Sequence, residues 1–185
     1  DLLKNPDQGG NAKFAPQWVK VPFGKTGPGY PEYSRSIAAG DLDDDGDIDF
    51  VAGGYNAAQH QIYRNDGTGV FTMTQLADCD ASSGHRQGVA LGDLDNDGDL
   101  DLVITHQYGD TCLYKNAGVV EGALTWTAGF LHPTYTSVGF QDYAVAIGDM
   151  NADGFLDVTL GSQDGDDATE YDIGVYLNQP LTPGS

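Results

Sequence analysis

The sequence predicts an all-β protein built from a repeated four-stranded unit. Three observations predict it. An acidic, glycine-punctuated motif recurs three times, short apolar alternations flank each copy, and no segment carries a convincing helical stripe. The chain has 185 residues, enough to bury one sizeable core and short for two domains. Its 26 glycines mark many turns.

The repeat comes first. IAAGDLDDDGDIDFVAG starts at Ile37, VALGDLDNDGDLDLVIT at Val89 and VAIGDMNADGFLDVTLG at Val145. The acidic loops begin at Asp41, Asp93 and Asp149, which are 52 and 56 residues apart. A period near fifty belongs to propellers and related repeat folds.

Each repeat reads as strands. An apolar run such as Gly88–Leu91 precedes the loop. After it, Leu100, Leu102 and Ile104 alternate with Asp101, Val103 and Thr105, close to period two. A third strand follows at Gln61–Arg64, Cys112–Lys115 and Ile173–Leu177, and a fourth at Val70–Leu76 and Leu124–Leu131. The last repeat lacks a fourth strand, and Gln17–Phe23 supplies an unmatched one at the start. Twelve strands, three blades of four offset by one, are therefore expected. The division is an N-terminal extension over 1–13, three blades over 14–178 and a tail over 179–185.

The acid is concentrated in the loops. Of 28 acidic residues 25 are Asp, and 14 of these lie in 41–49, 93–101 and 149–157. Asp is short and favours turns, so this excess asks for a geometric reason. The loops share the form D-x-[DN]-x-D-G-x-x-D. Asp41, Asp43, Asp45 and Asp49 fill it first, then Asp93, Asp95, Asp97 and Asp101, then Asp149, Asn151, Asp153 and Asp157. Alternate side chains of a tight turn converge on one point. The following glycines (Gly46, Gly98, Gly154) permit a backbone angle costly elsewhere. Asp47, Asp99 and Phe155 can then each offer a carbonyl. Carboxylates this close repel unless a hard cation binds them, and oxygen-only ligands point to Ca²⁺ rather than Zn²⁺ or Mg²⁺. An EF-hand would need Glu at position twelve, where Ala52, Ile104 and Leu160 stand. Three Ca²⁺ sites are expected, with eleven Asp side chains as ligands.

GDLDDDGDID, GDLDNDGDLD and GDMNADGFLD resemble the calcium loops of FG-GAP (VCBS-type) repeats, the blades of integrin-α-like β-propellers. The resemblance covers roughly Phe14 to Asn178. It implies four-stranded antiparallel blades, a calcium loop between the two inner strands of each, and ions that support structure. The third loop departs, with Asn151 for an acid and Phe155 for Asp, and is expected to bind most weakly. Such propellers usually have six to eight blades, whereas three are encoded here. Completion by a second copy, or by other chains, is the expectation. The family's blade layout puts Cys79 and Cys112 at the blade end opposite the loops. A disulfide between them suits an extracellular protein, and two free buried thiols are the other reading.

The formal net charge of −20 excludes nucleic acid and anionic membrane surfaces as partners, since both want a basic patch. No apolar run reaches the length of a membrane-spanning helix. A start at Asp1 without a signal peptide suits a processed or excised product. No catalytic residue is assigned: His60, His85, His106 and His132 lack metal-ligand spacing and no G-x-S-x-G occurs. His85 and His106 could meet Arg86, Tyr108, Gln141, Asp142 and Tyr143 at one blade end, a mix able to hold a sugar or peptide. Trp18 and Trp126 read as packing between blades. The expected function is a secreted, calcium-stabilised binding or assembly module, in adhesion or protein–protein interaction. A propeller lectin and an accessory domain of a polysaccharide-active enzyme are the alternatives.

Overall fold

A computed structural model describes residues 2–3, 18–19, 33–55, 59–77, 79, 86–107, 109–131, 141–163 and 171–179. The chain divides into two units, Asp1–Tyr30 and Pro31–Ser185. In the first, β1 (Leu2–Leu3) pairs antiparallel with β2 (Trp18–Val19). Trp18–Val19 belongs to the strand expected to be unmatched; the rest of Gln17–Phe23 lies outside the described residues.

The second unit holds three antiparallel sheets, each a blade of the propeller type. The first runs β3 (Tyr33–Gly40), β4 (Asp49–Tyr55), β5 (Gln59–Asn65), β6 (Phe71–Ala77). The second runs β7 (Arg86–Gly92), β8 (Asp101–His106), β9 (Cys112–Val120), β10 (Ala123–Phe130). The third has three strands, β11 (Gln141–Gly148), β12 (Asp157–Gln163) and β13 (Tyr171–Tyr176). Within each sheet every described strand neighbours the next in sequence, the meander of a blade. No helix occurs among the described residues.

The registers repeat. Gly40 faces Asp49, Gly92 faces Asp101 and Gly148 faces Asp157, so each acidic loop closes the first hairpin of its sheet. Each first strand also carries a register shift near its other end, between Ser34 and Ser36, Arg86 and Val89, and Asp142 and Ala144. A bulge re-aims the side chain it inserts.

The core lies between sheets. Leu42, Val51 and Ile62 of the first sheet bury against Val89, Leu102, Ile104, Cys112 and Tyr114 of the second. Leu94 and Val103 of the second bury against Val158 and Leu160 of the third. The middle sheet is covered on both faces, so all six residues of β8 are buried. Outer strands β6 and β10 instead alternate between half-buried and exposed. Strands β3, β7 and β11 of successive sheets lie against one another. Glycine leaves room there for neighbouring side chains: a Cβ on Gly40 would sit 2.5 Å from Leu100 Cδ1, and one on Gly92 would sit 2.8 Å from Ile147 Cγ2, so either would force those side chains to shift.

Candidate metal centres

The three acidic loops share one hydrogen-bonded frame. The first Asp accepts from the glycine amide five residues on: Gly46 to Asp41 at 2.9 Å, Gly98 to Asp93 at 3.0 Å, Gly154 to Asp149 at 3.0 Å. The third acid accepts from the amide two residues on: Asp47 to Asp45, Asp99 to Asp97, Phe155 to Asp153. The last Asp is buried and accepts twice. One bond comes from the loop's second residue, as Leu42 to Asp49 at 3.0 Å, Leu94 to Asp101 at 2.9 Å and Met150 to Asp157 at 2.8 Å. The other comes from an asparagine on or just past the third strand: Asn65, Asn116 and Asn178, at 2.8, 2.9 and 2.8 Å.

This frame bends the turn so that carboxylates converge. Asp41, Asp43 and Asp49 bring one oxygen each to within 4.8 Å of the others, and so do Asp93, Asp95 and Asp101. Three of the predicted ligands of each of the first two loops therefore meet. Asp45 and Asp97 are turned to the amides of Asp47 and Asp99. In the third loop the Asn151 amide donates to Asp153 at 2.9 Å, and Asp153 itself donates its backbone N–H to Asp149 and Asn151.

Burial raises the Asp49 and Asp101 carboxyls above the ordinary value, against the lowering by their backbone amide donors. Asp99 is also raised, by desolvation and then by the neighbouring carboxylates of Asp97, Asp44, Asp93 and Asp95. The donor set is all oxygen, as a hard cation requires. In the first loop Asp41 Oδ1 and Asp43 Oδ1 are buried without a hydrogen-bond partner. A buried, unpartnered carboxylate oxygen is costly unless a cation meets it. The residues of the first loop therefore fit Ca²⁺, and those of the second supply the same convergent set.

Sequence reasoning missed several contributors. Asp44, Asn96 and Ala152, the fourth loop residues, have φ of 56°, 59° and 61°. Asn and Asp tolerate this left-handed region; Ala does so at a cost. Two cations also reach the loops. Arg64 pairs with Asp43, and Lys115 pairs with Asp95 and, at 3.2 Å, with Asp97. The aspartate hydrogen bonds raise the Lys115 ammonium further above its ordinary value. The third repeat places Leu177 there. The pattern Arg64-Asn65, Lys115-Asn116, Leu177-Asn178 was visible as a repeat ending in Asn, but nothing local revealed where that Asn points. Asp47 and Asp99 lie over the tight turns at Gly67 and Gly118: Cβ atoms there would meet their carboxylates at 2.4 and 3.4 Å.

At the opposite blade end the structure bonds Cys79 to Cys112, with Cα atoms 5.9 Å apart. The Tyr114 hydroxyl accepts from the Cys79 amide and donates to Ala77 O. His106 is not on the surface there. It is fully buried with His60, their rings 5.8 Å apart, and its Nδ1 lies 2.9 Å from Asp110 O. Asp142 is buried too, accepting from the Thr111 and Ser162 hydroxyls. These three polar groups serve the core, because the inner strands bury both faces of the blade end. Gln141 and Tyr143 do meet, in a partly buried chain that crosses all three sheets. Arg35 donates to Gln87 at 2.8 Å, Gln87 to Gln107 at 3.0 Å, and Gln107 to Gln141 at 3.0 Å and Tyr143 at 3.3 Å. Arg35, Gln87 and Tyr143 occupy the three register shifts, which explains why they point together. His85, Tyr108 and His132 lie outside the described residues, and Arg86 begins β7. Trp126 packs against the first core cluster.

The family model described as FG-GAP-like repeat matches residues 41–104 and 93–160. No curated protein sequence matches the chain.

Proposed function

The chain belongs to the FG-GAP-like repeat family, and from that footing we propose that it is an extracellular, calcium-stabilised propeller module that holds a macromolecular partner without transforming it. The observation that carries the calcium reading is the convergence of Asp41, Asp43 and Asp49 with two buried, unpartnered carboxylate oxygens. Asp41, Asp43, Asp45 and Asp49 would hold one ion, Asp93, Asp95, Asp97 and Asp101 a second, and Asp149, Asn151, Asp153 and Asp157 a third. The ion supplies positive charge that offsets the mutual repulsion of the loop carboxylates. Arg64 and Lys115 do part of that work from the protein side and compete with it. The carboxylates act as ligands rather than as acid–base groups, which leaves the blade surfaces and ends for binding.

The extracellular reading is supported by the Cys79–Cys112 disulfide, since such bonds persist in oxidising compartments. Three ions would change the formal charge from −20 to −14. The test is a calorimetric titration of the metal-stripped chain with CaCl₂. Binding of two to three ions per chain is expected, one of them lost in Asp41→Ala and another in Asp93→Ala. Absence of heat, with unchanged melting in chelator and no metal by elemental analysis, overturns the reading.

A further inference from the structure

We propose that two copies of this chain join through the same sheet-to-sheet joint that the chain already builds twice within itself, closing a ring of six blades. The inference rests on the propeller reading above and is independent of the calcium reading.

The internal joints are alike in detail. In the first, the leading face of sheet one meets the trailing face of sheet two. Leu100 fills the cradle left by Gly40, Val89 is buried, and the Asn116 side-chain amide donates across the joint to Leu42 O at 2.9 Å. In the second, Leu156 and Ile147 fill the cradle left by Gly92, Val145 packs into the core cluster, and the Asn178 amide donates to Leu94 O. The same three devices recur because the same positions of the repeat supply them.

Sheets one and three carry the separated halves of a third such joint. On the trailing face of sheet one, Ile37 stands where Val89 does, Ile48 where Leu100 does, and Asn65 where Asn116 does. On the leading face of sheet three, Gly148 stands where Gly40 and Gly92 do, Met150 where Leu42 and Leu94 do, and Val175 where Ile62 and Leu113 do. The joined positions are buried or half-buried and the end positions are open. Val89 and Leu94 are 8% and 9% accessible, against 63% for Ile37, 58% for Ile48, 50% for Met150 and 53% for Val175. A Cβ on Gly148 would meet only Met150 Cε, at 3.8 Å, so its cradle has room for a side chain such as Ile48.

The asparagine completes the match. Asn116 and Asn178 each donate to their own loop, at Leu100 O and Leu156 O, as well as across the joint. The Asn65 amide makes the equivalent bond to Ile48 O at 3.2 Å. By the same geometry its second hydrogen points to Met150 O of the partner subunit. The two end faces differ, so neither can pair with itself; the contact is heterologous. Applied twice about a two-fold axis it gives six blades, within the range that propellers close. The joint covers apolar side chains that a solitary chain leaves in water.

The test uses the full chain in saturating calcium. Light scattering is expected to return twice the 19.6 kDa of one chain. Val175→Asp and Ile37→Asp, both exposed in the single chain, should each halve that mass while leaving the circular dichroism unchanged. Mixing Ile48→Cys with Gly148→Cys should yield a cross-linked pair on a non-reducing gel, which neither variant gives alone. A folded species of 19.6 kDa, a larger open assembly, or a dimer indifferent to both charged variants overturns the proposal. A calcium titration of the same samples separates the two readings: a monomer that binds calcium removes the joint alone, and a dimer that binds none removes the calcium reading alone.

Discussion

The side-chain amide of Asn116 donates to the backbone oxygen of Leu42, 74 positions earlier, at 2.9 Å. Asn116 is fully buried, its N–H is held by Asp101 and its side chain also reaches Leu100 O. One residue thus ties the middle of β9 to its own acidic loop and to the loop of the preceding sheet. Asn116→Ala should cost about 2–3 kcal/mol, because buried acceptors lose their donors. Asn65→Ala removes a side-chain amide that donates to Ile48 O at a more exposed position, and should cost about 1 kcal/mol in the monomeric Val175→Asp background. Urea unfolding of both variants checks the ranking.

The Cys79–Cys112 bond closes a sequence separation of 33 residues. On the chain-entropy description, its removal should cost roughly 3–4 kcal/mol. The double variant Cys79→Ala, Cys112→Ala is expected to show this in denaturant. The native chain should show no reactive thiol until reduced.

The third loop should be improvable. Ala152 holds φ at 61°, where its counterparts are Asp44 and Asn96. Ala152→Gly removes the left-handed penalty and should raise stability by about 1 kcal/mol. Asn96→Ala should lower it by a few tenths to about 1 kcal/mol. Thermal melting of both variants in the metal-stripped state decides.

The stability of the metal-stripped chain and the increment that calcium adds to it should depend on pH in opposite directions. Burial raises Asp49 and Asp101 above the ordinary carboxyl value of 3.8. A raised value means that the fold prefers the protonated acid. That contribution is complete below the unfolded value and is lost as pH rises through the folded one. Relief of the −20 net charge acts the same way. Asp66 and Asp97 lie below the ordinary value through their hydrogen bonds, so they oppose this only at pH below about 4. The metal-stripped chain should therefore melt higher at about pH 4 than at about pH 7. The increment added by calcium should shrink over the same interval, because protons compete for the ligands. Calorimetric melts at the two pH values, with and without calcium, check both signs.

The sequence by itself determined the repeat, the meander of strands and the acidic loops. These are local: alternation sets each strand's faces, and a turn of nine residues with glycine at its sixth position brings Asp41, Asp43 and Asp49 toward one point, with Asn65 and Arg64 of the same sheet completing the arrangement. The departure of the third loop from the pattern was equally legible in Asn151. Tertiary structure alone decided what joins one blade to the next. Asn65, Asn116 and Asn178 look like ordinary turn residues until the preceding blade's loop is placed beside the last two. Gly40 and Gly92 read as strand ends until Leu100 and Ile147 press against them. His106 and Asp142 read as surface polar groups until packing of both blade faces closes over them. The reason is one of range. A local motif satisfies its own backbone within a turn, whereas a buried donor or a glycine cradle acquires its meaning from a partner more than fifty residues away.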